Sequence, residues 1–270
     1  MTFVSPMLLG KIDAPFDDSR YIAELKLDGF RLVYSSLGAK PRLYTRHNTD
    51  VTSRYPELLT LDLPQGVVLD GELVVTDADG KPDFEACMSR FSSRKVKHTV
   101  TYCVFDVLYS EGQSVMHLPL VERKALLAAI IPVNSSTLTK VGVIDGLHAS
   151  KLYDACCAQS LEGVVLKRKD SAYLTGKRSD RWLKIVNYAF TDVWVAGLTA
   201  NGDWLLEFDD GTPAGICEFA PPLVRKTVYR NFETRGEPIK VRVKHRSLTK
   251  GGYLRTPSFL NFINTPITSA

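Results

Sequence analysis

Short runs of β-branched and aromatic residues, separated by turn signals, constrain this chain most. Six fall in the first 170 residues: 21–27 (YIAELKL), 30–36 (FRLVYSS), 42–46 (RLYTR), 67–75 (VVLDGELVV), 100–109 (VTYCVFDVLY) and 163–168 (GVVLKR). Their length and composition predict strands. Between them, 54–62, 120–130 and 148–159 carry helical patterns, and 83–90 a weaker one. Asp28-Gly29, Asp79-Gly80 and Asp210-Gly211 mark turns. The pattern predicts an α+β domain.

The character changes near Tyr188. Strand candidates at 192–198, 204–208, 215–219 and 239–245, with a short helix or turn at 221–230, fill the remaining residues. About five strands and one helix in about 80 residues fit a small OB-type barrel. We therefore expect two domains, 1–188 and 189–270.

Charge divides the second domain. Residues 188–221 hold six acids and no Lys or Arg, whereas 222–255 hold ten Lys/Arg against two acids, a balance of +8. Such asymmetry suggests one face turned toward a polyanion, or else a solvated basic face. No apolar run approaches the roughly 20 residues of a membrane span. The N-terminus carries neither a basic n-region nor an apolar core, so a cytoplasmic location is expected. The five cysteines form no CxxC pair, which fits reduced thiols rather than a zinc site.

Chemistry concentrates in an ordered series. Glu24-Leu25-Lys26-Leu27-Asp28-Gly29-Phe30-Arg31 comes first, then Tyr44-Thr45-Arg46, Asp70-Gly71-Glu72-Leu73, Val104-Phe105-Asp106, Glu162-Gly163-Val164-Val165-Leu166-Lys167 and Trp182-Leu183-Lys184. This set resembles the covalent nucleotidyltransferases, and within them the ATP-dependent DNA ligases, over most of the chain. The resemblance implies an ATP-grasp-like adenylation domain of antiparallel sheets with flanking helices, followed by an OB-fold. It implies a monomer that seals nicked duplex DNA with ATP and Mg²⁺ (or Mn²⁺).

It also assigns roles. Lys26 would attack the α-phosphate of ATP and carry AMP. A free lysine is neutral about once in a few thousand at pH 7, a cost of about 4–5 kcal/mol; nearby cations recover part of this, and Lys167 and Lys184 are the candidates. Glu24 matches the acceptor of the adenine amino group. Arg31 and Arg46 match the ribose and phosphate contacts, and Phe105 matches the ring that stacks on the purine. Glu72 and Glu162 match the carboxylates that approach the ribose and the metal. In the barrel, Arg242, Lys244 and Arg246 would share one strand face toward DNA.

Two departures stand out. Lys184 is followed by Ile185-Val186 where the family has Lys-x-Lys, and no Arg-x-Asp-Lys ends the chain. With 25 residues ahead of Lys26, no separate N-terminal DNA-binding domain is expected. An RNA ligase, a capping-type guanylyltransferase and a nucleic-acid-binding relative without turnover remain as alternatives.

Overall fold

A computed structural model describes residues 3–93 and 95–263. It divides into two compact units, Met1–Val186 and Asn187–Ala270, with the junction two residues before the expected one.

The first unit holds strands β1 (Leu8–Lys11), β2 (Tyr21–Leu25), β3 (Phe30–Ser35), β4 (Arg42–Thr45), β5 (Val68–Val74), β6 (Thr101–Ser110), β7 (Gln113–Ser114), β8 (Leu138–Lys140), β9 (Ile144–Asp145), β10 (Gly163–Arg168) and β11 (Arg178–Val186). Its helices are α1 (Phe84–Ser92), α2 (Leu120–Ile130) and α3 (Ala149–Ala158). One sheet runs β1-β11-β10-β2-β9; the other runs β4-β3-β5-β6-β7, with β8 beside β6. Leu32, Leu43, Leu69, Leu73, Tyr102 and Val104 fill the core behind the second sheet, together with Tyr55 and Leu58. Asp83 caps α1 by accepting from the Ala86 amide, a side-chain bond that satisfies one of the helix's unpaired first-turn amides.

The helix expected at 54–62 is absent. Thr52–Arg54 and Pro56–Thr60 form two 3₁₀ turns instead. Pro56 lacks an amide hydrogen and restricts the residue before it, so a helix cannot run through from Arg54.

The second unit holds β12 (Ala189–Leu198), β13 (Trp204–Glu207), β14 (Pro213–Cys217), α4 (Pro222–Thr234), β15 (Ile239–His245) and β16 (Ser258–Phe262). The strands pair in the order β14-β13-β12-β15-β16. A parallel bridge between Phe219 and Ser258 joins the two ends of that order. The result is a closed five-stranded barrel with a helix between its third and fourth strands, the OB topology. Val193, Val195, Trp204, Leu206, Val241 and Val243 line its interior. The segment at 221–230 is thus a full helix, extended to Thr234.

Candidate active site

Two sheet faces supply the site. On the first sheet, Glu24 pairs with Val165, which pairs with Lys184, while Lys167 pairs with Trp182. Cross-strand neighbours and residues two apart share a face, so Glu24, Lys167, Trp182 and Lys184 lie on one side. Lys26 follows β2 directly, and its amide donates to the Gly163 carbonyl at 2.9 Å. On the second sheet, Arg31 pairs with Glu72 and Val33 with Asp70.

Phe105 owes its position to a bulge. Asp70 pairs with Asp106 and Gly71 with Val104, which leaves Phe105 as the extra residue of β6. Bulges re-aim side chains in this way. The Phe105 ring lies 4.4 Å from both the Arg31 guanidinium carbon and Lys167 Nζ.

A pocket of about 440 Å³ is lined by Glu24, Lys26, Arg31, Glu72, Phe105, Lys167 and Trp182, closed by Leu9, Leu25, Leu27 and Val165. A larger groove opens beside it and shares Leu25, Lys26 and Leu27 with it; Glu162 lines the groove.

Ion pairs fix the polar groups. Lys26 Nζ lies 2.8 Å from Glu162 Oε2, with both side chains largely buried. Arg31 makes a bidentate pair with fully buried Asp70, at 2.6 Å (Nε–Oδ1) and 2.5 Å (Nη2–Oδ2). Tyr173 donates to the same carboxylate at 2.6 Å. Burial opposes the guanidinium charge, but Asp70 overcomes it and holds Arg31 above the usual arginine range. Glu24 sits between Lys167, whose Nζ lies 2.6 Å from Oε2, and Lys124, which contacts Oε1. Burial pushes its carboxyl up; the two lysines more than reverse this, and the net shift is downward. Lys167 is drawn down to about 8 by burial, against the pull of Glu24.

Glu72 is pushed up to about 7, first by burial and then by the charges of Glu162 and Asp70, with Arg31 and Lys26 opposing. A divalent cation beside Glu72 would oppose this upward shift. Among the described residues no cluster of three or more His, Cys, Asp or Glu forms a metal cage. Mg²⁺ needs none, since it binds through one or two carboxylates plus water and substrate phosphate.

Two expected residues line neither the pocket nor the groove. Arg46 is exposed in the turn after β4, its Nη2 3.4 Å from His47 Nε2. Lys184 shares the pocket face of β11 without lining the pocket. Val186, two residues on, is buried where the family pattern has its second lysine. Lys124 and Tyr173 were not singled out from sequence, and Asp70 stood in the motif series without a role of its own. Each acts across many residues of chain, so no local pattern marks it.

On the barrel, Lys240, Arg242 and Lys244 project from the outer face of β15, and the alternate residues are buried. Arg242 is already paired with Asp192 at 2.6 Å and 2.9 Å. Lys240 lies 2.7 Å from Asp209, and Lys244 sits over the Tyr188 ring. Arg246 lies just past the end of the strand. The acids of 188–221 thus lie against the bases, and the apparent charge division partly cancels in space.

A two-sheet α+β domain with a cation- and carboxylate-lined pocket, followed by an OB barrel, defines the class. The chain belongs to the ATP-dependent DNA ligase family, whose domain model matches residues 6–185. It is 46% identical to the SPbeta prophage-derived DNA ligase-like protein LigB of Bacillus subtilis, across 95% of this chain and 98% of that protein. It is 33% identical to the multifunctional non-homologous end joining protein LigD of Pseudomonas aeruginosa, across 68% of this chain but only 22% of that one. The structure of mycobacterial DNA ligase D complexed with ATP and MES superposes with a TM-score of 0.63 at 25% identity, covering 99% and 97% of the two chains. A Lig E DNA ligase shares the fold at 19% identity and a TM-score of 0.70, covering 94% and 98%. No helix among the described residues is long and apolar enough to cross a membrane.

Proposed function

We propose that this ATP-dependent ligase seals 3′-OH/5′-phosphate nicks in duplex DNA through a lysyl-AMP intermediate on Lys26, as a cytoplasmic monomer. The observation that carries the reading is the placement of Lys26. It stands at the junction of the pocket and the groove, within reach of Glu162 and on the same wall as Glu24. Nucleotide in the pocket and a DNA end in the groove would meet at this side chain.

The other residues divide the work. Glu24 accepts from the adenine amino group, and Phe105 offers its ring to the purine. Arg31, fixed by Asp70, faces the ribose and phosphates, with Lys167 and Lys184 as further cations; Arg46 would have to swing in from its exposed turn to join them. Glu72 and Glu162 would hold Mg²⁺ (or Mn²⁺), which would supply charge neutralisation at the phosphates. Guanidinium and ammonium groups placed where charge develops are the main source of rate in phosphoryl transfer. An anionic Glu24 disfavours the 6-oxo group of guanine, which weighs against the capping alternative.

The test has two stages. Incubation with α-labelled ATP and Mg²⁺ should label the protein, and a nicked duplex should then be sealed with release of AMP. Absence of label would leave a binding protein without turnover. Preferential sealing when RNA replaces DNA at the nick would favour the RNA-ligase alternative.

The barrel face yields a separate expectation. Nick affinity should fall with salt, with a log–log slope of about −0.9 per phosphate neutralised. Lys244→Glu should flatten that slope by at least about one such unit. Arg242→Ala should change it less, because Asp192 already offsets that charge. Equal slopes for all three proteins, measured by nick binding across a salt series, would return this face to a solvated surface. Loss of self-labelling in Lys244→Glu with an unchanged slope would assign the face to nucleotide loading.

A further inference from the structure

Lys124 has no part in the mechanism above, yet it reaches into the most buried polar cluster of the pocket wall. It stands on α2, next to Arg123, and its side chain is 14% exposed. Its ammonium contacts Glu24 Oε1, while Lys167 holds Oε2. The helix beneath it is anchored. Arg123 grips Asp106 through two bonds of 2.8 Å, and both side chains are fully buried. Lys124 therefore starts from a fixed backbone and spans from α2 to β2.

We propose that Lys124 is a positioning residue for purine selection, which locks the Glu24 carboxylate so that its remaining acceptor sites meet a 6-amino group. The proposal rests on the reading of Glu24 as the adenine acceptor. A carboxylate has about four lone-pair sites, and the two lysines use one on each oxygen. Held at both oxygens by opposite charges, it cannot rotate, and it presents only acceptors to the base. Guanine offers an acceptor at the same place, and two acceptors repel. With Lys124 gone, the carboxylate is free to turn, and Lys167 can offer its ammonium to a 6-oxo group. Selectivity then falls even though Glu24 itself is intact.

The experiment compares kcat/KM for self-adenylylation with ATP and with GTP in four proteins: the parent, Glu24→Gln, Lys124→Met and Lys124→Arg. Hydrogen bonds to charged groups correspond to discrimination of about 10- to 100-fold. Lys124→Met should cut the ATP:GTP ratio by about 10-fold, mainly through KM, and Lys124→Arg should restore most of it. Glu24→Gln should also lower the ratio, since an amide can donate to guanine. An unchanged ratio in Glu24→Gln would overturn the adenine-acceptor reading itself. A lowered ratio there, with equal losses for both nucleotides in Lys124→Met, would overturn the role of Lys124 alone and leave it a structural tie. Should the methionine variant not fold by circular dichroism, Lys124→Gln is read by the same ratio and the same outcomes.

Discussion

Replacing Lys26 with alanine is expected to abolish self-adenylylation, a loss of at least about 10³-fold, because in the proposed mechanism Lys26 alone supplies the attacking amine. Sealing of a nick already adenylylated at its 5′-phosphate should survive in part, since that last step uses the 3′-OH as nucleophile. Lys26→Arg is the sharper variant. Its guanidinium keeps a positive partner for Glu162, whose side chain is 3% exposed, but it stays protonated at all working pH values and cannot attack phosphorus. Thermal unfolding of Lys26→Arg should match the parent while labelling disappears. Robust labelling of either variant would move the nucleophile elsewhere.

The largest expected loss of stability lies at Arg123. Its guanidinium meets Asp106 twice and donates to the carbonyls of Leu118 and Ser171 at 2.6 Å and 2.8 Å. Removing one partner of a buried ion pair strands the other, at a cost of about 3–5 kcal/mol. Arg123→Met should therefore lower the urea midpoint sharply. Adding Asp106→Leu should recover much of the loss, since two apolar side chains avoid the stranded charge. A single-variant loss below about 1 kcal/mol, the range of an exposed pair, would place this pair in a far more solvated setting. Because Asp106 adjoins Phe105 and Arg123 adjoins Lys124, the single variant should also weaken ATP binding.

Much of this molecule can be read from its residues, for identifiable reasons. Strands β2, β3, β5, β6 and β10 carry β-branched and aromatic runs that declare themselves locally. The motif residues Glu24, Lys26, Arg31, Glu72, Phe105 and Lys167 meet in one pocket because their spacing follows those strands. Strand β11 escaped because Arg178, Asp180 and Arg181 occupy exposed positions and mask its pattern. Strand β1 is four residues long, contains a glycine and pairs in parallel with a distant partner. Lys124 and Glu24 are 100 residues apart, and a contact at that separation leaves no trace in periodicity. The basic run of the barrel is less one-sided in space than in sequence. Its charges are close in sequence, but Asp192 comes to them from β12 and Asp209 from the turn after β13.

Gly29, in the turn after Lys26, sets a limit on how this site can change. A side chain there would place its Cβ 2.3 Å from the Leu73 carbonyl oxygen and 3.1 Å from Glu72 Cγ. The first distance is well inside van der Waals contact and the obstacle is backbone, so nothing can swing aside. Gly163 is closed in the same way by the Ile185 carbonyl, at a φ of +132°. The lysine and its carboxylate neighbours are thus held by two points where backbone touches backbone. A saturation library at positions 29 and 163 should return glycine alone at both. Change at this site is therefore confined to side chains, while the two backbone contacts beside Lys26 stay fixed in kind.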